Sequence, residues 1–172
     1  VSNTLPEISK KYYSKVLLIG EYTVTSGYSA LAIPFKGYSG QWLIDPDKRT
    51  NYKSGLQQFL EYIKAEKFLR SVFDLKRFQD ELNKGWIFDS DIPTGYGLGS
   101  SGALVAGFYD RYAVNSTENI NDLKSILALT ESAFHGASSG LDPLVSYLNR
   151  GILIDESGVI ELIDLDINND GY

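Results

Sequence analysis

The stretch "PTGYGLGSSGALVAG" (Pro93–Gly107) constrains the fold more than any other part of the chain. It follows "WIFDSDI", whose alternation reads as a strand, and it runs into small apolar residues from Ser100 to Val114 that read as a helix. A strand halted at Pro93 that passes through alternating glycines into a helix brings backbone amides to the helix N-terminus. Glycines adopt positive φ and let the backbone approach a ligand closely. The helix start adds unbonded N–H groups and the positive end of its dipole. Ser100 and Ser101 add hydroxyls that can touch phosphate or a phosphate-bound Mg²⁺. The ligand so implied is a di- or triphosphate. Taken by itself, the loop also fits a plain glycine-rich turn before a serine-capped helix.

Two better-known loops fit less well. The stretch lacks the Lys of the Walker pattern. "GLGSSG" (Gly97–Gly102) does satisfy the dinucleotide fingerprint, which wants an acid about 20 residues on at the end of a second strand. Glu118 and Asp122 lie near that distance, but in the polar run "NSTENIND", and the preceding strand carries two acids. The net charge of −6 and pI near 4.8 argue against nucleic acid as a partner. With no Cys, disulfide, thiolate and Cys-zinc chemistry are excluded, and a cytoplasmic protein fits. No apolar run reaches about 18 residues and the N-terminus has no apolar signal region, so neither a membrane span nor a leader is expected. The sequence has no Met, even at position 1, and so reads as trimmed or incomplete.

The remaining pattern predicts an α+β domain, with a mostly antiparallel or mixed sheet packed by helices. "YYSKVLLIGEYTV" (Tyr12–Val24) reads as a strand interrupted by Gly20, and "ALAIPF" and "GYSGQWLID" as two further strands. Lys10 and Lys11 read as a solvated strand edge. Leu56, Phe59, Leu60 and Ile63 recur at helical spacing, with Ser54 as the cap, and Val72–Leu82 reads as a second helix. Asn121–Phe134 reads as a helix with Ile126, Leu127 and Leu129 inward. "GILIDESGVIELIDLDI" reads as a hairpin turning at "DESG". "DLDINNDG" has the acids of a calcium loop, but Asn169 stands where that loop needs Gly.

A second stretch, "TESAFHGASSGLDPLVSYLNRG" (Thr130–Gly151), holds the only His and two acids, Glu131 and Asp142. Glu131 ends a predicted helix and Asp142 follows a turn, so a fold-back brings the two carboxylates together. Beside a phosphate loop, one acid can hold Mg²⁺ and the other can take the proton of an attacking hydroxyl. Taken singly, Glu131 reads as a solvated helix-end acid, His135 as structural, and Asp142 before Pro143 as a helix cap. Near the N-terminus, Lys15 precedes the first strand's apolar run and Glu21 follows Gly20. Lys15 can hold a phosphate or act on a nearby titratable group, and Glu21 can assist or be an ordinary strand-end acid.

Together, the three stretches resemble the GHMP kinase superfamily: galactokinase, homoserine kinase, mevalonate kinase and phosphomevalonate kinase. "KVLLIGEYTVTSGYSALAIP" looks like the family's first motif, "PTGYGLGSSGA" like its phosphate loop, PxGxGLGSSAA, and "ESAFHGASSGLDPLVS" like the E…HGxxSGxD segment of the mevalonate kinase branch. The resemblance runs from about Lys15 to Gly151, in the family's order, and three ordered motifs are more specific than the loop alone. It implies ATP and Mg²⁺ as cofactors, with Pro93, Gly95, Gly97, Leu98, Gly99, Ser100 and Ser101 around the ATP phosphates. It implies Mg²⁺ at Ser101 and Glu131, and Asp142 as the base or orienter of the acceptor hydroxyl, paired with Lys15. His135, Gly136, Ser139 and Gly140 are implied to shape the loop carrying Asp142, with Glu21, His135 and Gly136 beside the substrate.

The implied partners are a nucleotide and a small metabolite, and a homodimer is compatible. Diphosphomevalonate decarboxylase, whose loop usually reads GLASS, a sugar kinase and a non-catalytic nucleotide binder are the alternatives. Tyr22 replaces the His of the family's GEH signature, which opens the question of substrate, and Gly102 replaces an Ala, a small change. The resemblance also implies that residues 1–172 form the N-terminal ATP-binding domain, without the family's C-terminal domain. A fragment of that kind is expected to bind nucleotide weakly and turn over poorly.

Overall fold

A computed structural model describes residues 10–20, 29–45 and 49–164, with the backbone alone for 49–54. Two strands, β1 (Tyr12–Ile19) and β2 (Ala30–Ile44), are followed by helices α1 (Arg49–Ala65), α2 (Lys67–Val72) and α3 (Leu75–Lys84). Then come β3 (Trp86–Ser90), α4 (Ser100–Tyr112), α5 (Ile120–His135), α6 (Leu141–Leu148) and the hairpin β4 (Gly151–Ile154) and β5 (Ile160–Ile163). The result is the expected α+β domain. Its five-stranded sheet has only antiparallel pairs among the described residues.

The long strand β2 organises the sheet. β1 runs along one edge of it. On the other edge, β4 pairs with Ala30–Ala32 and β3 with Gly40–Ile44. The two strands expected from "ALAIPF" and "GYSGQWLID" are therefore one strand of 15 residues. The partner of β1 jumps from Ser39 opposite Tyr13 to Phe35 opposite Ser14, so residues 36–38 drop out of register. Lys36, which lay between the two expected strands, belongs to a bulge at residues 36–38: the extra residues bend the strand without ending it.

Other boundaries also moved. β1 ends at Ile19, where Gly20 turns to φ 97°; Glu21, Tyr22 and the rest of 21–28 lie outside the described residues, as does most of the calcium-like run. α1 begins at Arg49, so Ser54 is inside the helix and does not cap it. The helix expected over Val72–Leu82 is broken, because Phe73 is extended and bridges to Ala113. Asp74 then caps α3, accepting from the Arg77 amide at 2.9 Å. Lys10 is exposed just before β1, as expected of a solvated strand edge, and there it pairs with Asp110 at 3.2 Å and lies over the rings of Tyr12 and Tyr147.

The helices cover one face of the sheet. Ala103, Val105, Ala106 and Phe108 of α4 are fully buried, as are Leu127 of α5 and Leu144 and Val145 of α6. Ile126 also faces inward, and Leu129 packs at the core's margin. Trp42 meets Phe78, Phe88 and Tyr112 edge-on, with centroids 5.3–6.1 Å apart. Among the described residues, no helix is long and apolar enough to cross a membrane.

Candidate active site

The glycine loop is strapped at both ends. At its start, Asp91 N donates to Ser39 O at 3.1 Å, and Ser39 N donates to Asp91 Oδ1 at 2.7 Å. At its end, Lys15 N donates to Leu98 O at 3.0 Å. Between these straps Gly95 and Gly97 have φ of 83° and 68°, and nothing stands within 4 Å of where a Cβ would be. The loop thus presents open backbone before α4, whose N-cap is Gly99 at φ 74° with no side-chain cap. Tyr96 at the tip is 79% exposed.

Lys15 and Asp142 meet beneath this loop. Their Nζ and Oδ1 atoms are 3.0 Å apart, and the Lys15 side chain is 8% exposed. A Cβ on Gly99 would lie 2.9 Å from Lys15 Cγ and 3.5 Å from Asp142 Oδ2. Oδ1 is therefore held by the lysine, while Oδ2 is turned toward the loop. Asp142 stands in the first turn of α6 and is not its cap; Gly140 is, in left-handed conformation at φ 74°. The close approach continues one turn into α4. A Cβ at Gly102 would come within 2.9 Å of Asp142 C, Asp142 Cβ and Pro143 N, so Gly in place of the family's Ala is a larger change than the sequence suggests.

Glu131 lies on α5, four residues before the helix end, and is 4% exposed, not solvated. Ser101 Oγ donates to its Oε1 at 2.9 Å, and Ser138 Oγ to its Oε2 at 2.5 Å. His135 Nε2 lies 3.0 Å from Ser101 Oγ. With the serine proton directed to an ionised Glu131, the contact is satisfied by the Nε2–H tautomer of the ring. Burial pushes the Glu131 carboxyl above its usual range. Ser138 opposes this most, Asp142 adds to it, and Ser101 and His135 oppose it further. Gly102 packs against Asp142 while the adjacent Ser101 bonds to Glu131, so the two carboxylates share one neighbourhood.

The structure thus brings together Lys15, the loop from Leu98 to Ser101, Glu131, His135 and Asp142. Gly136, at φ 73°, turns the chain out of α5. Ser139 Oγ accepts from Leu141 N at 3.3 Å and steadies the start of α6. Pro93 sits at the far end of the loop from this cluster. The residue that sequence reasoning missed is Ser138. It is one of two adjacent serines, and nothing in "GASSG" says which of them turns inward.

Among the described residues, no three His, Asp or Glu side chains are arranged to hold a metal unaided. The oxygen pair Ser101 Oγ and Glu131 Oε1, 2.9 Å apart, does fit one edge of an Mg²⁺ octahedron. Bonds of about 2.0–2.1 Å at right angles span ~2.9 Å, and Mg²⁺ commonly takes only one or two protein ligands, completing its shell with phosphate and water.

The family model described as GHMP kinases N terminal domain matches residues 61–150, just over half of the 172 residues, and the chain belongs to that family. Among solved structures, it is similar to the mevalonate kinase of methicillin-resistant Staphylococcus aureus (19% identity, TM-score 0.55), covering 91% of this chain and 55% of that one. It is also similar to the Methanococcus jannaschii mevalonate kinase (18%, 0.58), covering 95% and 57%. A third is the L. major mevalonate kinase in complex with R-mevalonate (16%, 0.53), covering 90% and 51%. At these identities the likeness is one of fold, and the chain spans little more than half the length of each. No curated protein matches the chain.

Proposed function

We propose that this chain carries the phosphate-binding and base-bearing part of a small-molecule kinase. It transfers the terminal phosphoryl group of ATP to a hydroxyl or phosphate of a metabolite, with mevalonate or a phosphorylated relative as the leading acceptor. The observation that carries the proposal is the Lys15–Asp142 pair, with Asp142 Oδ2 facing Gly99 at the mouth of the loop.

The open amides around Gly95, Gly97 and Gly99 and the N-terminus of α4 hold the phosphates. Lys15 fixes Asp142 by Oδ1. The acceptor hydroxyl gives its proton to Oδ2 as its oxygen bonds to phosphorus and the bond to the departing diphosphate breaks. Ser101 and Glu131 would hold Mg²⁺, which when bound would supply neutralising charge for the transferred group. His135 orients the Ser101 hydroxyl through Nε2. The choice of mevalonate is supported by the fold likeness and by the "HGASSGLD" segment.

The test is ATP consumption by the full-length protein over mevalonate, phosphomevalonate, homoserine and sugars. Asp142→Ala is expected to lower turnover by roughly 10²–10⁴-fold while largely sparing nucleotide binding. Transfer that survives this change removes Asp142 from the mechanism.

A further inference from the structure

We infer that Ser138 is a positioning residue that leaves Glu131 a single metal-facing oxygen and thereby favours Mg²⁺ over larger divalent cations. This inference rests on the metal role proposed above for Glu131.

The two carboxylate oxygens are treated differently. Oε1 faces Ser101 at the head of α4. Oε2 accepts the Ser138 hydroxyl, which itself accepts the amide of Gly140 at 3.0 Å. That amide is fixed in place: Gly140 is at φ 74°, and a Cβ there would come within 2.5 Å of Lys124 O and 2.9 Å of Ala128 Cβ. The loop lies against α5 with no slack, so the Ser138 oxygen is held in both directions. It spends its proton on Oε2 and a lone pair on the backbone.

Mg²⁺ and Ca²⁺ ask different things of such a carboxylate. Mg²⁺ demands a near-ideal octahedron at about 2.0–2.1 Å and accepts one oxygen per carboxylate. Ca²⁺ takes six to eight oxygens at about 2.3–2.6 Å and readily uses both oxygens of one carboxylate. With Oε2 engaged, Glu131 offers the first arrangement and withholds the second. Without the Ser138 hydroxyl, Oε2 is a buried acceptor lacking its donor, and a cation large enough to bridge both oxygens relieves it. The hydroxyl therefore disfavours the larger ion without adding a bond to the smaller one. The neighbouring Ser139 is spent on Leu141 N, so it does not duplicate this function.

The test uses the full chain and the non-hydrolysable β,γ-imido analogue of ATP. Its dissociation constant is measured by calorimetry with saturating Mg²⁺ and again with saturating Ca²⁺. Both ions load the nucleotide, so the ratio of constants reads the protein's preference. Ser138→Ala is expected to shrink the preference for the Mg²⁺ form on the order of tenfold. Ser138→Thr, which keeps the hydroxyl, is expected to restore it. A purely structural role would weaken both forms alike, and an unchanged ratio in Ser138→Ala overturns the inference. Where Ser138→Ala does not fold, Ser138→Cys keeps the volume with a weak donor and takes its place. Glu131→Gln separates the two levels. If it has the wild-type ratio, the metal reading itself fails; if it abolishes the preference while Ser138→Ala does not change it, only the role of Ser138 fails.

Discussion

Gly102→Ala restores the residue usual at this point of the family's loop, yet it should harm this protein. The added methyl would meet Asp142 C and Cβ and Pro143 N, each at 2.9 Å. These are backbone atoms and a Cβ at the head of α6, with no flexible side-chain end to yield. Overpacking of this kind costs about 1–3 kcal/mol. Alanine's better helix propensity returns at most ~1 kcal/mol, and less in a first turn. A net loss near 1 kcal/mol is expected, seen by calorimetry as a fall in Tm of about 2–4 °C for a chain of this size. The strain is relieved by moving α6 away from α4, which carries Asp142 off the loop. Turnover should then fall roughly tenfold, because placement errors well under 1 Å already matter to a positioned base. Gly55→Ala is the matched control. It makes the same chemical change inside α1, where nothing lies within 4 Å of the new methyl, and should stabilise by about 0.5–1 kcal/mol. A Gly102→Ala protein as stable as wild type, with unaltered turnover, refutes the claim that α4 and α6 touch through this glycine.

Two other groups give separate predictions. Glu81 accepts from Arg111 at 2.6 Å, Tyr112 at 2.8 Å and Arg77 at 3.1 Å. Burial pushes its carboxyl up, but these hydrogen bonds together hold it below its ordinary value. Stability from a depressed carboxyl is present above its unfolded pKa and is lost as pH falls through the folded one. Glu81→Gln should therefore cost about 2–3 kcal/mol near neutrality and flatten the acid limb of a Tm–pH curve; an unchanged limb excludes the group as its cause. Glu131 has the opposite sign. Its folded pKa is raised by burial, so its contribution is present below the unfolded pKa and is lost as pH rises through the folded one. Glu131→Gln should raise the Tm of the ligand-free protein at pH 7 and leave it unmoved at pH 4; a fall at pH 7 contradicts this.

The features legible in the sequence were those that depend on local spacing. The alternation in Trp86–Ser90, the glycines before Ser100 and the apolar run through α4 fix a strand, a loop and a helix without reference to the rest of the chain. The hairpin at "DESG" was equally local. What failed was whatever tertiary contact decides. The bulge at 36–38 looks like the end of a strand, because its register is set by β1 across the sheet. The break at Phe73 depends on Ala113, far along the chain. Burial of Glu131 and the inward turn of Ser138 are likewise set by α4 and by the loop to α6. An isolated acid near a helix end reads as solvated on any local rule.

The site joins two electrostatic arrangements of unequal balance. Lys15 and Asp142 form an ion pair, and each offsets the other's loss of hydration. Glu131 is buried more deeply than Asp142 and is held by two neutral hydroxyls, with the Asp142 charge working against it. Hydroxyls satisfy a carboxylate's lone pairs but do not cancel its charge, so ionisation at that position is unfavourable in the ligand-free fold. A core built for stability alone does better with an apolar side chain at that position. The geometry instead keeps Oε1 pointed at Ser101, beside the amides of the loop, where a cation shared with phosphate oxygens would turn the liability into binding energy. On the kinase reading, the instability at Glu131 is the counterpart of metal-nucleotide affinity. One carboxylate should then set both quantities, and they should move in opposite directions when it is neutralised.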